Sequence, residues 1–338
     1  MTMMNQARRD FAAKLLSQPA VCLAEVYRKR GDVEYLIGAY SEANADLTSA
    51  KALFTLVRSD NKCGEIYHAM GNVCIDMGKF EEAENYYNTA LDLFQKVHDK
   101  INIAKCYKEL GKVKQYLEKT DEALLFYQKA MCIYKQIDEI KGCNIITEYL
   151  ADIYRVRGEY EKSLYSIDEL LFFYQNTNDL RSLSRIYKIA GNVFMEKGDF
   201  IQSQKHLENA YKYSINTGEN SIAMYVLCDL GLVCYNFGKY TSACEYFTQC
   251  LFLAEKLSSS YMLVVNLINL ADANFKMGNI ERSKYFITRA ATINHNIGGL
   301  TSEIQRIQEE IAQKEGDQEK AGQEKSRETQ GRQVPHAT

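Results

Sequence analysis

A period of forty residues governs this chain. Gly38, Gly78, Gly158, Gly198, Gly238 and Gly278 recur at that interval, with Glu118 in the one remaining place. Seven residues earlier runs a column of small residues: Gly31, Gly71, Gly111, Ala151, Gly191, Gly231 and Ala271. A third column reads Ala43, Ala83, Ala123, Ser163, Ser203, Ala243 and Ser283, and a fourth reads Ala50, Ala90, Ala130, Leu170, Ala210, Cys250 and Ala290. No insertion or deletion disturbs the spacing across seven copies. A fixed period of this length marks a repeat architecture in which each unit is one supersecondary element stacked on the next.

Each unit reads as two helices. In the second copy, Ile66, Tyr67, Met70, Gly71 and Cys74 fall at helical spacing, and so do Ala83, Tyr87, Ala90, Leu91 and Phe94. Gly78 stands between them, because glycine readily takes the left-handed conformation that ends a helix. Small residues in the columns of Gly71 and Ala83 let the paired helices approach closely, and Tyr67, Tyr87 and Phe94 fill the space around that contact. Only Pro19 and Pro335 occur, both near the ends, which suits a nearly all-helical chain. A single helix pair cannot bury both faces, so neighbouring units must share one continuous core.

These columns resemble the tetratricopeptide repeat. Its small positions 8, 20 and 27 fall on Gly71, Ala83 and Ala90, and its large position 24 falls on Tyr87. The family's tryptophan at position 4 is replaced by Tyr27, Tyr67, Tyr107, Thr147, Tyr187, Leu227 and Leu267, and its proline after the second helix is missing. The period of 40 exceeds the usual ~34 and is similar to that of kinesin light chains and of the Leu-Gly-Asn-repeat modulators of G-protein signalling. Met70-Gly71-Asn72 and Ala190-Gly191-Asn192 come close to the tripeptide that names the latter. The resemblance implies an all-α, right-handed superhelical solenoid of seven helix-turn-helix repeats, at 21–60, 61–100, 101–140, 141–180, 181–220, 221–260 and 261–300. Residues 1–20 are expected to form an N-terminal capping helix, with Phe11, Leu15 and Leu16 on one face. A C-terminal capping helix is expected over 301–314, where Leu300, Ile304, Ile307 and Ile311 share a stripe, followed by a disordered polar tail over 315–338.

Composition narrows the function. A net charge of −3 gives no electrostatic reason to bind nucleic acid. No segment approaches the ~18–20 apolar residues of a membrane span, and Met1–Leu16 shows no signal-peptide core. The ten cysteines lack C-x-x-C spacing and read as reduced thiols in a cytoplasmic protein. Five histidines are scattered, His68 on a surface column and His98 in a turn, with no H-E-x-x-H or zinc spacing. No phosphate-binding loop occurs, and the glycines serve helix packing. Neither a catalytic constellation, nor a cofactor, nor a metal is expected. The carboxylate clamp of chaperone-binding tetratricopeptide domains begins at Lys188 and Asn192 but fails at Asp229, Val265 and Asn269.

The remaining signal lies on the face of each first helix opposite the packing columns. Positions 2, 5, 9 and 12 span about 80° at ~100° per residue, and the resemblance implies that they line the concave wall. This stripe is polar in the first five repeats, with Lys105, Lys108, Lys112, Arg185, Lys188 and Asn192 among its members. In the last two it turns apolar: Tyr225, Cys228, Leu232, Tyr235, Val265, Ile268 and Phe275, with Asp272 the exception. The expectation is a non-enzymatic scaffold that captures a segment of a partner protein. Acidic residues of the segment would meet the cations, and apolar ones would meet Tyr225, Leu232, Tyr235, Ile268 and Phe275. The alternative is a ligand- or peptide-responsive regulatory sensor. Three readings compete for the apolar stripe: cover by the C-terminal helix or by neighbouring helices, docking of a partner, or contact between two copies of the chain.

Overall fold

From residue 40 onward the helix starts within the repeats recur at intervals of forty. A computed structural model describes the backbone of residues 2–294 and 300–331 and the side chains of residues 18–294 and 300–316. Every regular element among them is an α-helix. First helices are α1 (Thr2–Leu36), α3 (Asp60–Asp76), α5 (Lys100–Tyr116), α7 (Ile140–Val156), α9 (Leu180–Glu196), α11 (Asn220–Asn236) and α13 (Ser260–Lys276). Second helices are α2 (Tyr40–Leu56), α4 (Phe80–Lys96), α6 (Thr120–Gln136), α8 (Tyr160–Thr177), α10 (Phe200–Thr217), α12 (Tyr240–Lys256) and α14 (Ile280–Asn294), and α15 (Thr301–Gly331) follows. The chain forms two bodies, residues 1–157 with α1 to α7 and residues 158–338 with α8 to α15. Within each body every helix packs on the next in sequence, as expected for stacked helix pairs, and α15 packs on both α13 and α14.

The columns explain why the pairs close. An added Cβ on Gly71 would lie 2.6 Å from the Tyr87 ring, on Gly111 2.6 Å from Tyr127, and on Gly231 2.3 Å from Phe247. Carbon atoms rest at about 3.5–4.0 Å, so only glycine admits these rings. Where the small column holds Ala271, the residue opposite is Ile287, a slimmer side chain. Interior positions such as Ile66, Val73, Tyr87 and Phe94 are buried, and they tie each first helix to the helices on both sides.

Thirteen residues at intervals of twenty, Gly38 through Gly278, turn the chain in the left-handed region. Seven are glycines. The other six, Arg58, His98, Glu118, Asp138, Asn178 and Ser258, hold φ between 53° and 58°. Glu118 therefore adopts the same turn as the glycines of its column without their conformational freedom.

Both termini depart from expectation. Residues 1–20 do not fold as a separate cap; α1 runs unbroken through Pro19 into the first repeat. Proline removes one rung of the ladder there, and good helix formers on both sides, Ala12, Ala13, Leu15, Leu16, Ala20 and Leu23, carry the helix across. At the other end α15 buries Ile304, Ile307 and Ile311 against the last repeat, then continues to Gly331 instead of stopping at 314. Its extension is rich in Glu, Gln, Lys and Ala, all strong helix formers, and an ion pair joins Glu315 to Lys284 of α14. His295 and residues 332–338, His336 included, lie outside the described residues.

Candidate partner-binding surface

In the first body the stripe forms a mixed, self-paired polar wall. Arg28 binds Glu25 at 2.8 Å and Asp32 at 2.9 Å, and Lys62 bridges Glu25 and Glu65. On α5, Lys105 is exposed and donates to Asn102 Oδ1 at 3.2 Å. Lys108 pairs with the buried Glu109 at 2.7 Å, and the Lys112 ammonium lies 5.8 Å from the centre of the Tyr116 ring. Tyr127 OH donates to Gln115 Oε1, and Gln115 Nε2 reaches Asp152 Oδ2 of α7 at 3.5 Å. The basic third repeat is thus not a bare cationic patch, because Glu109 pairs with Lys108 and Asp152 of α7 lies within reach of Gln115.

A cleft of about 610 Å³ opens between the C-terminal halves of α5 and α7. Lys112, Gln115, Glu118, Thr120 and Asp152 are its polar lining, and Tyr116, Tyr149, Ile153 and Val156 its apolar lining. Tyr116 stacks on Phe80 at 4.9 Å and Tyr149 on Tyr127 at 5.1 Å, so both aromatic walls are held from behind. The volume falls within the range of ligand-sized clefts, about 300–1,000 Å³. Lys112 was legible from the sequence. The two tyrosines and Val156 were not, because they meet only when neighbouring repeats stack.

His68 corrects a sequence expectation. It is not an ordinary surface histidine but lies half-buried, edge-on to Tyr87 at 5.3 Å, with Nε2 lacking a partner. Burial pushes its imidazole down to about 4. His206 behaves similarly against Phe194, its ionisation lowered by burial. His98 sits in a turn as expected.

In the second body, Arg185 donates to Ser182 Oγ at 2.8 Å, and Lys188 Nζ lies 5.2 Å from the centre of the Tyr225 ring, a cation–π distance. Asn192 Oδ1 is buried without a partner. Tyr225 is 42% exposed, and Leu232, Tyr235 and Phe275 are half-buried. Ile268, expected on the surface, is only 7% exposed. It belongs to one apolar cluster with Leu232 and Tyr235 of α11 and the three isoleucines of α15. Arg306 of α15 reaches Asp272 at 3.3 Å and Glu310 at 2.6 Å. Nothing in the repeat pattern marked Arg306, because α15 lies outside the period. A cleft of about 940 Å³ in this body lies away from the stripe, among Cys244, Thr248, Leu270, Asn274, Met277, Tyr285 and Phe286.

No group of three or more metal-ligating side chains occurs among the described residues, and no helix there is long and apolar enough to cross a membrane. Residues 63–136 and 225–256 each match the tetratricopeptide-repeat family. Among curated protein sequences, none matches the chain. Solved structures share the fold at low identity. Aspartyl phosphate phosphatase F from Bacillus subtilis is 13% identical with a TM-score of 0.67, over 84% of this chain and 73% of that one. A Rap protein complexed with competence and sporulation factor is 14% identical with a TM-score of 0.64, over 88% of each chain. A signal-transduction ATPase with a tetratricopeptide-repeat sensor, from Pyrococcus horikoshii, is 17% identical with a TM-score of 0.61, over 85% of this chain but 44% of its own. With the repeat columns, the helix pairs and two matched segments in agreement, the chain belongs to the tetratricopeptide-repeat family.

Proposed function

We propose that this protein is a non-enzymatic interaction scaffold, working in a reducing, cytoplasmic setting, whose first-helix stripes capture a segment of another protein. The observation that carries this reading is the cleft between α5 and α7. It gathers a cation, an amide and a carboxylate of the first-helix stripes beside two tyrosines that are held from behind by Phe80 and Tyr127. A peptide laid there can offer a carboxylate to Lys112, a backbone amide to Asp152 or Gln115, and a side chain to Tyr116 and Tyr149. Lys105 extends the cationic side. In the second body, Arg185, Lys188 and Asn192 supply the polar part, and Tyr225, Leu232, Tyr235 and Phe275 the apolar part. A few such aromatic anchors usually dominate binding energy.

The test is selection of binding segments from a displayed peptide library against the whole chain, followed by affinity measurement on two variants. Lys112→Glu and Tyr116→Ala should each weaken the selected segment at least tenfold while the helical circular dichroism is retained. Selected segments that bind both variants like the wild type would refute the assignment. The likeness to a Rap protein crystallised with a competence and sporulation factor favours a second reading, in which a bound peptide changes the shape of the repeat array. Compaction in small-angle scattering on adding the selected segment would support this sensor over a static scaffold.

A further inference from the structure

Position 3 and position 10 of each first helix receive the second helix of the preceding repeat. Their burial is uniform: Ile66, Cys106, Ile146, Ile186 and Val226 at position 3, and Val73, Val113, Ile153, Val193, Val233 and Ala273 at position 10, are at most 2% exposed. The first repeat keeps the same apolar residues there, Val26 and Val33, yet they are 60% and 56% exposed. α1 continues toward Thr2 as one helix, and no described side chain covers this face. Cys22, Leu23, Leu36 and Ile37 are exposed along with the two valines.

These six residues are arranged symmetrically about the point between Lys29 and Arg30. In two antiparallel α1 helices centred on that point, Val26 of one copy opposes Val33 of the other, Leu23 opposes Leu36, and Cys22 opposes Ile37. We propose that the exposed face of α1 is a self-complementary docking surface on which a second copy of this chain pairs across a two-fold axis.

Charge agrees with that register. Lys29 of one copy faces Arg30 of the other, and Arg30 carries two carboxylates with it, Asp46 and Glu34. The cluster it meets is therefore net negative. Each face offers on the order of 500 Å² of apolar surface, at the upper end of what a monomer usually exposes. Two faces together reach about the 1,000 Å² that a specific interface needs. Among the described residues the opposite terminus presents no matching face, since α15 buries its isoleucines and turns Glu303, Gln305, Gln308 and Glu309 outward. Pairing is accordingly isologous and closes at two copies.

Sedimentation equilibrium of the full chain at micromolar concentration tests this. The wild type should sediment at twice its 38.7 kDa, and Val26→Asp/Val33→Asp should weaken association at least tenfold with helicity retained. Ile37→Cys should form a covalent dimer with Cys22 on mild oxidation, and adding Cys22→Ser should abolish it, which fixes the register. A wild type that stays monomeric to 100 µM overturns the proposal, with residues 2–17 folding back as the occupant if Val26→Asp also lowers its melting temperature. A dimer indifferent to the aspartates overturns it equally.

Discussion

Replacing Gly231 by alanine pits two opposing effects against each other. In an isolated helix the change gains about 1 kcal/mol, because alanine has less backbone entropy to lose. Here the new methyl would stand 2.3 Å from Phe247, more than 1 Å inside normal contact, and the ring is fully buried. Either α11 and α12 separate or the ring leaves its rotamer, and such overpacking costs about 1–3 kcal/mol. The net expectation is a loss of up to about 2 kcal/mol. Phe247→Ile alone should also destabilise, by about 1–3 kcal/mol, through the space it leaves. Together they recreate the Ala271–Ile287 pairing that the seventh repeat already uses. The double variant should recover most of the loss, with a coupling energy of about 1–3 kcal/mol. Urea unfolding of the four proteins followed by circular dichroism reads this out. If Gly231→Ala stabilises by its propensity gain alone, or if Phe247→Ile fails to rescue it, the reasoning about the small column is refuted.

Three further outcomes follow from the same geometry. His68 titrates near 6.5 unfolded but at about 4 in the fold, where Glu109, Lys105 and Lys108 are its charged neighbours. Stability should be fully present above pH 6.5 and fall by roughly 3 kcal/mol as pH drops toward 4; His68→Leu should flatten that slope in a series of melts, and an unchanged slope contradicts the burial. Gly78 turns at φ 73° with nothing near its missing Cβ, so Gly78→Ala should cost about 1 kcal/mol from backbone strain alone, whereas Glu118→Gly should gain a few tenths of a kcal/mol; equal melting shifts in the two would argue against the turn assignment. All ten cysteines are free, and burial pushes Cys106 up to about 12, so timed alkylation should label the exposed Cys22 and Cys132 long before Cys106, and melting should not respond to reductant.

The repeat period made the helix register readable because each column is under one steric demand. Gly71, Ala83 and Tyr87 constrain one another within a single helix pair, and that constraint is written seven times. The second turn of each unit left a weaker mark, with Asn178 and Gly218 of types that favour the left-handed conformation. Arg58, His98, Asp138 and Ser258 share a left-handed conformation but no side-chain chemistry. His68 was misread for a related reason: position 5 is a surface column only until the ring of Tyr87 and the neighbouring helix close around it. The α5–α7 cleft belongs to two repeats at once, so Tyr116, Tyr149 and Val156 meet only through stacking. Ile268 shows the reverse case, an apparent surface residue that α15 and α11 draw into the core. The uncapped α1 face has no mark of its own in the sequence, because Val26 and Val33 are the same kind of residue as Ile66 and Val73, which are buried one period on.

Tyrosine footprinting of the chain with and without a selected binding segment tests the stripe assignment most directly. Tyr116 and Tyr225 sit exposed on the first-helix side, and Tyr165 and Tyr285 sit exposed on second helices. Capture along the stripe should shield Tyr116, Tyr225 or both from covalent labelling and leave Tyr165 and Tyr285 fully reactive. Shielding confined to Tyr285 and its neighbours in the cleft of about 940 Å³, with Tyr116 and Tyr225 labelled as before, would contradict it.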